Sequence, residues 1–90
     1  MSEVRKHMIF HGRVQGVGFR YNSKISGKIY ESDGWVKNEY DGTVVMEVQG
    51  RETLIFELMK GLNRNQFIQI DWIDTEEMEP ELESSFEVKY

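Results

Sequence analysis

The chain contains no cysteine. That excludes a disulfide framework, a thiolate nucleophile and any zinc site built on sulfur, and leaves stability to packing. No apolar run approaches the length of a membrane span, and the opening Met-Ser-Glu-Val-Arg-Lys-His lacks the apolar centre of a secretory signal. The expected setting is therefore soluble and cytoplasmic. Repeats and low-complexity tracts are also missing, and 90 residues provide for one domain, 1–90, around one core.

Two familiar phosphate motifs are absent as well. There is no Gly-Lys-Ser or Gly-Lys-Thr, so a nucleotide-hydrolysing P-loop is excluded. The position three after Gly18 is Tyr21 rather than glycine, so the dinucleotide fingerprint fails. His7 and His11 share a face of a predicted strand but lie about 13 Å apart at the usual rise, too far to share a metal. No cofactor or metal is expected.

The net charge is −5, with acidic residues crowded between positions 71 and 87, while Arg5, Lys6, Arg13, Arg20 and Lys24 lie near the start. Such a field repels nucleic acid and anionic membrane, yet a local basic pocket still attracts a small anion. The expected partner is a small-molecule anion, with no nucleic acid, no membrane, and a monomeric state.

What the chain does have is the stretch 12–20, Gly-Arg-Val-Gln-Gly-Val-Gly-Phe-Arg. An apolar, strand-like segment runs into Gly16 and Gly18, which lack a Cβ and allow positive φ, so that successive N–H groups turn toward one point. A helix beginning near Phe19 adds free N–H groups and the positive end of its dipole, and Arg20 adds a planar fork of donors. Gln15, Gly16, Val17, Gly18, Phe19 and Arg20 are thus candidates for an anion cradle.

Periodicity predicts strands over 7–14, 34–38, 43–49, 67–74 and 85–90, and helices over 19–30 and 51–62. The first helix has Asn22, Ile25, Ser26, Ile29 and Tyr30 at helical spacing and is weakened by Gly27, at about 1 kcal/mol relative to Ala. The second places Leu54, Ile55, Leu58, Met59 and Leu62 on one stripe. Asp41-Gly42 marks a tight hairpin turn. Strands 67–74, with Ile68, Ile70 and Trp72 on one face, and 85–90 are expected to run antiparallel, the last as an edge. The acidic residues 76–83 are expected to form a solvated loop.

The resulting order, β-α-β-β-α-β with a short extra strand, predicts an α+β, ferredoxin-like split βαβ fold: an antiparallel sheet with two helices on one face. Right-handed crossovers make the first two strands parallel, which brings Asn38, ending the second, to the rim of the 15–20 loop.

The segments Gly-Arg-Val-Gln-Gly-Val-Gly-Phe-Arg at 12–20, Gly-Trp-Val-Lys-Asn at 34–38 and Asp-Gly-Thr-Val at 41–44 closely resemble the two signatures of acylphosphatases. The resemblance extends over nearly the whole chain in length, element order and Gly50 before the second helix. It implies hydrolysis of the carboxyl-phosphate anhydride of small acyl phosphates, with Arg20 gripping the phosphate and Asn38 orienting water. The chain departs from that pattern at Tyr30-Glu31-Ser32-Asp33, where the family has a small apolar Leu-Gly-Leu type of segment, and at Gly27, where it more often has alanine.

Thr43 could hold the rotamer of Asn38 as a supporting residue, or be an ordinary strand former. Trp35, Trp72, Phe10 and Phe86 read as core or sheet-face aromatics. A non-catalytic phosphate-sensing or partner-docking module on the same fold is the alternative function. A base-stacking domain is disfavoured by the acidic balance.

Overall fold

The computed structural model describes residues 3–90. Its elements are β1 (Val4–Arg13), α1 (Phe19–Ile29), β2 (Asp33–Asn38), β3 (Val44–Gly50), α2 (Glu52–Arg64), β4 (Gln69–Met78) and β5 (Phe86–Lys89). They form one five-stranded sheet in the order β4-β1-β3-β2-β5. Met8 and Phe10 of β1, Val36 of β2, and Val44, Met46 and Val48 of β3 turn to the helix side. There they close against Phe19 of α1 and Ile55, Leu58 and Leu62 of α2.

The ferredoxin-like order is observed, but the sheet is mixed rather than antiparallel. β1 is antiparallel to β3 and β4, and β2 to β3, whereas β5 pairs in parallel with β2. The reason is the route between the last two strands. β4 lies at one edge and β5 at the other. The connecting residues cross at the end of the sheet where β2 begins, with the Gly34 N–H donating to the Ser85 carbonyl. A strand entering from that end runs alongside β2, not against it.

The same connection corrects the reading of 76–83 as a solvated loop. Glu76 and Glu77 belong to β4 and pair with His7 and Lys6 of β1. Glu83 bonds to Arg5, a residue only 1% exposed. Backbone pairing with β1, from Thr75 opposite Met8 to Met78 opposite Arg5, carries β4 past the end expected at residue 74.

β4 also breaks its alternation. His11 faces Trp72 but Gly12 faces Ile70, so Asp71 is an extra, bulged residue. One extra residue flips the pleat. Ile70 and Ile73 therefore both pack on the core, and Trp72 turns to the opposite face, 57% exposed, stacked on His11 at 4.3 Å between centroids.

In α1 the buried positions are Phe19, Ser23 and Gly27, while Ile25 and Ile29 are exposed. The helix is rotated from its predicted face because small residues let it approach β5 closely. A Cβ at position 27 would lie 2.9 Å from the Phe86 ring. The helix then ends on Glu31 at φ 52, with Glu31 N–H donating to the Lys28 carbonyl and Ser32 N–H to the Gly27 carbonyl, a Schellman closure with a glutamate in the left-handed position.

Candidate functional site

β1 and β2 deliver their C-terminal ends to the same rim of the sheet, and the loop after β1 curls there between two buried anchors, Val14 and Phe19. Phe19 meets Phe10 edge to face at 4.8 Å. Between the anchors Gly16 and Gly18 take φ of 72° and 81°. At Gly16 a Cβ would touch nothing, so it is the left-handed backbone, not crowding, that demands glycine. Gly18 caps α1 without a side-chain hydrogen bond, and no acidic residue occupies the first turn. The positive end of the helix therefore has neither a side-chain cap nor an acidic neighbour in its first turn.

The loop is pinned at both ends. Asn22 donates to the Gly18 carbonyl through its backbone and its side chain, at 2.9 and 2.8 Å. Gln15 Nε2 donates to the carbonyls of Glu39 and Thr43, at 2.7 and 2.9 Å. Gln15 thereby fixes the cradle to the β2–β3 hairpin.

Gly16, Gly18, Phe19, Arg20 and Asn38 line one cavity of about 620 Å³. Gln15 and Val17 are not among its lining residues. Val17 packs against the core and Gln15 acts through its amide. Asn38 ends β2 opposite Val44, and its Oδ1 is buried without a hydrogen bond from any described group. An orphaned buried acceptor costs about 1–3 kcal/mol, and in a folded protein such a group calls for an explanation.

Thr43 does not support Asn38. Its Oγ1 donates to Asp41 Oδ1 at 2.6 Å and its N–H donates to the same oxygen at 3.0 Å. Asp41, two residues back in the turn, wins because the local Asx geometry captures both donors. The Thr43 hydroxyl and N–H hold the Asp41 carboxyl below the usual aspartate range.

Arg20 is half-buried. Its Nη1 donates to the Lys89 carbonyl at 3.4 Å, and the guanidinium lies 5.0 Å from the Tyr90 ring. This contact is absent from the sequence reading, because it follows from the parallel direction of β5, which brings Tyr90 up beside the cradle. The cavity also takes in Lys24, Lys28 and Val88. For the lysines the signal was present as a four-residue spacing from Arg20.

Chemically the site offers backbone N–H groups, cations and one amide. The side-chain carboxylate on its lining is Glu87, whose Oε2 accepts from Ser85 Oγ at 2.7 Å. Among the described residues no three histidine, aspartate or glutamate side chains gather as a metal site. Nor is any helix among them long and apolar enough to cross a membrane.

The fold and rim define a ferredoxin-like α+β domain with a glycine-rich loop and a cavity at the ends of two parallel strands. The family profile described as Acylphosphatase matches residues 6–88. An acylphosphatase of Moorella thermoacetica is 33% identical over 90 residues, covering 99% of this chain and 97% of that one. One of Geobacillus kaustophilus is 55% identical over 51 residues, a match spanning 57% of this chain and only 54% of the relative's length. The crystal structure of acylphosphatase from Bacillus subtilis superposes with a TM-score of 0.89 at 30% identity, covering 97% of this chain and 99% of that one. The chain belongs to the acylphosphatase family.

Proposed function

We propose that this protein hydrolyses small acyl phosphates to a carboxylate and inorganic phosphate. Family membership supports the reaction class. The observation that carries the residue assignment is the meeting of Gly16, Gly18, Arg20 and Asn38 around one cavity.

In this reading the amides of the 15–20 loop and the Arg20 guanidinium hold the phosphoryl oxygens and stabilise the charge that develops on them. Tyr90 and the Lys89 carbonyl restrict the guanidinium beforehand, so less freedom is lost on binding. Asn38 has no basic group, but its amide both donates and accepts, which suits it to orient a water. A turn about its terminal bond, where the minima are broad, presents the orphaned acceptor to that water.

The water oxygen forms a bond to phosphorus while the phosphorus–acyl oxygen bond breaks and the carboxylate departs with the electron pair. The carboxylate is already a good leaving group, so no protein nucleophile is needed. The water's proton passes to a phosphate oxygen. Positive charge comes from Arg20 and the backbone amides, and the reaction proceeds without added metal.

Purified protein should hydrolyse benzoyl phosphate in metal-free buffer, and Arg20→Ala should lose both turnover and competitive inhibition by inorganic phosphate. Unchanged turnover in that variant would overturn the role given to Arg20. Phosphate binding by the wild type without any hydrolysis would instead favour the phosphate-sensing or docking module.

A further inference from the structure

The cavity does not stop at the cradle. It continues along the groove between α1 and β5, and a second hollow of about 400 Å³ shares Lys24, Lys28 and Glu87 with the first. Arg20, Lys24 and Lys28 fall at intervals of four on α1, so they stack on one side of the helix about 6 Å apart. On the hydrolytic reading above, a phosphoryl group at the helix N-terminus would have this groove beside it as the path for its acyl group toward the two lysines.

Neither lysine is paired with a carboxylate among the described residues. In a chain of net charge −5, Lys6, Lys37 and Lys60 pair with Glu52, Glu39 and Glu57. Lys89 lies over the Trp35 ring. Lys24 and Lys28, both exposed, have no carboxylate within 4.0 Å among the described residues. Lys28 sits in the last turn of α1, where a cation complements the helix dipole. Lys24, in mid-helix, has no such reason. The acidic side chains along the groove are Glu87, engaged by Ser85 Oγ, and Glu31 and Asp33 at its far end. Tyr21 and Ile25 line the same cavity and supply apolar surface for a carbon skeleton between the charges.

We propose that Lys24 and Lys28 form a second anion subsite that selects acyl phosphates whose acyl group bears a further negative charge. This rests on the hydrolytic reading above.

Benzoyl phosphate and 4-carboxybenzoyl phosphate form a rigid pair differing in the remote carboxylate. For the wild type, kcat/KM should favour the carboxylated substrate about tenfold, within reach of two partly solvated charge contacts. Lys24→Gln/Lys28→Gln should bring that ratio close to one, while Lys60→Gln, on α2, should leave it where it was. A ratio unaffected by the double variant, or moved equally by Lys60→Gln, would overturn the subsite, the latter because it reports only the general field of the protein. Failure to hydrolyse even benzoyl phosphate would remove the activity itself, a result distinct from hydrolysis without discrimination.

Discussion

The side-chain amide of Gln15 donates to the backbone carbonyl of Thr43 at 2.9 Å, joining the loop after β1 to the far side of the β2–β3 hairpin. The cradle and Asn38 lie on opposite sides of that bridge. Gln15 thus ties the loop to the hairpin whose first arm ends at Asn38, without itself lining the cavity.

Gln15→Ala should weaken inorganic phosphate binding about tenfold, with an accompanying stability loss of about 1 kcal/mol for the lost hydrogen bonds. The Thr43 carbonyl keeps its bond from the Glu39 N–H, so the hairpin should survive. Inhibition by phosphate and a urea unfolding curve separate the two effects. Unaltered inhibition would show that the loop holds its shape unaided.

Asn38→Ala should lower kcat about 100-fold or more, the scale for losing one well-placed polar group, while phosphate still competes for the site. Because the variant also removes a buried acceptor without a donor, the fold should lose little stability: an equal or higher melting temperature together with low kcat is the expected pair. Loss of phosphate inhibition in a folded variant would move Asn38 from water orientation to phosphate binding.

Much of this was legible in the sequence because it depends on short-range signals. Glycine spacing at 16 and 18, the stripe on α2 and the Asp41-Gly42 turn all act within a few residues, and topology rules then brought Asn38 to the cradle. What was not legible depends on long-range pairing. The bulge at Asp71 arises from register against β1 and reverses the faces of Ile73 and Trp72. The direction of β5, and with it the contact of Tyr90 with Arg20, depends on which end of the sheet the 79–85 segment crosses. The buried face of α1 escaped because the residues that pack, Ser23 and Gly27, are small rather than apolar. Thr43 stayed open between two roles because its hydrogen-bond partner, Asp41, is a turn neighbour.

Gly27→Ala should destabilise the protein by about 1 kcal/mol. Helix propensity alone favours alanine by about that amount. The new methyl, however, would sit 2.9 Å from two ring carbons of Phe86 and 3.1 Å from its Cβ, so the side chain cannot simply swing its far end away. Overpacking costs about 1–3 kcal/mol. A urea midpoint above that of the wild type would mean that β5 yields freely.

Glu31→Gly should act the other way. Glu31 holds φ 52 at the end of α1, a backbone that costs a residue with a Cβ about 1 kcal/mol, and its side chain is exposed. Glycine keeps the closing bonds from positions 31 and 32 to the Lys28 and Gly27 carbonyls and should raise stability by about 1 kcal/mol. No gain in the thermal midpoint would show that the loop already relaxes the strain.

The buried Arg5 gives stability a defined response to acid. Its guanidinium bonds to Glu47 at 2.9 Å and to Glu83 at 3.1 Å, and His7 Nδ1 lies 2.9 Å from the other Glu47 oxygen. Burial pushes the Glu47 carboxyl up, but the hydrogen bonds of His7 and Arg5 outweigh it and hold the group below its ordinary 4.5. The unfolded chain therefore takes up this proton first as pH falls. The stabilisation is complete above about pH 5 and is lost as pH drops through 4.5 toward the lower folded value. Asp41 shifts in the same direction. Asp33, raised by burial and by Glu3 and Glu83, works oppositely and blunts the slope. Glu47→Gln should be less stable than the wild type at pH 7, since Arg5 loses a buried charge partner. The difference should shrink as pH falls from 5 to 3. Urea midpoints across that range test this, and a constant gap between the two proteins would show that the Glu47 charge is not the source of the acid response.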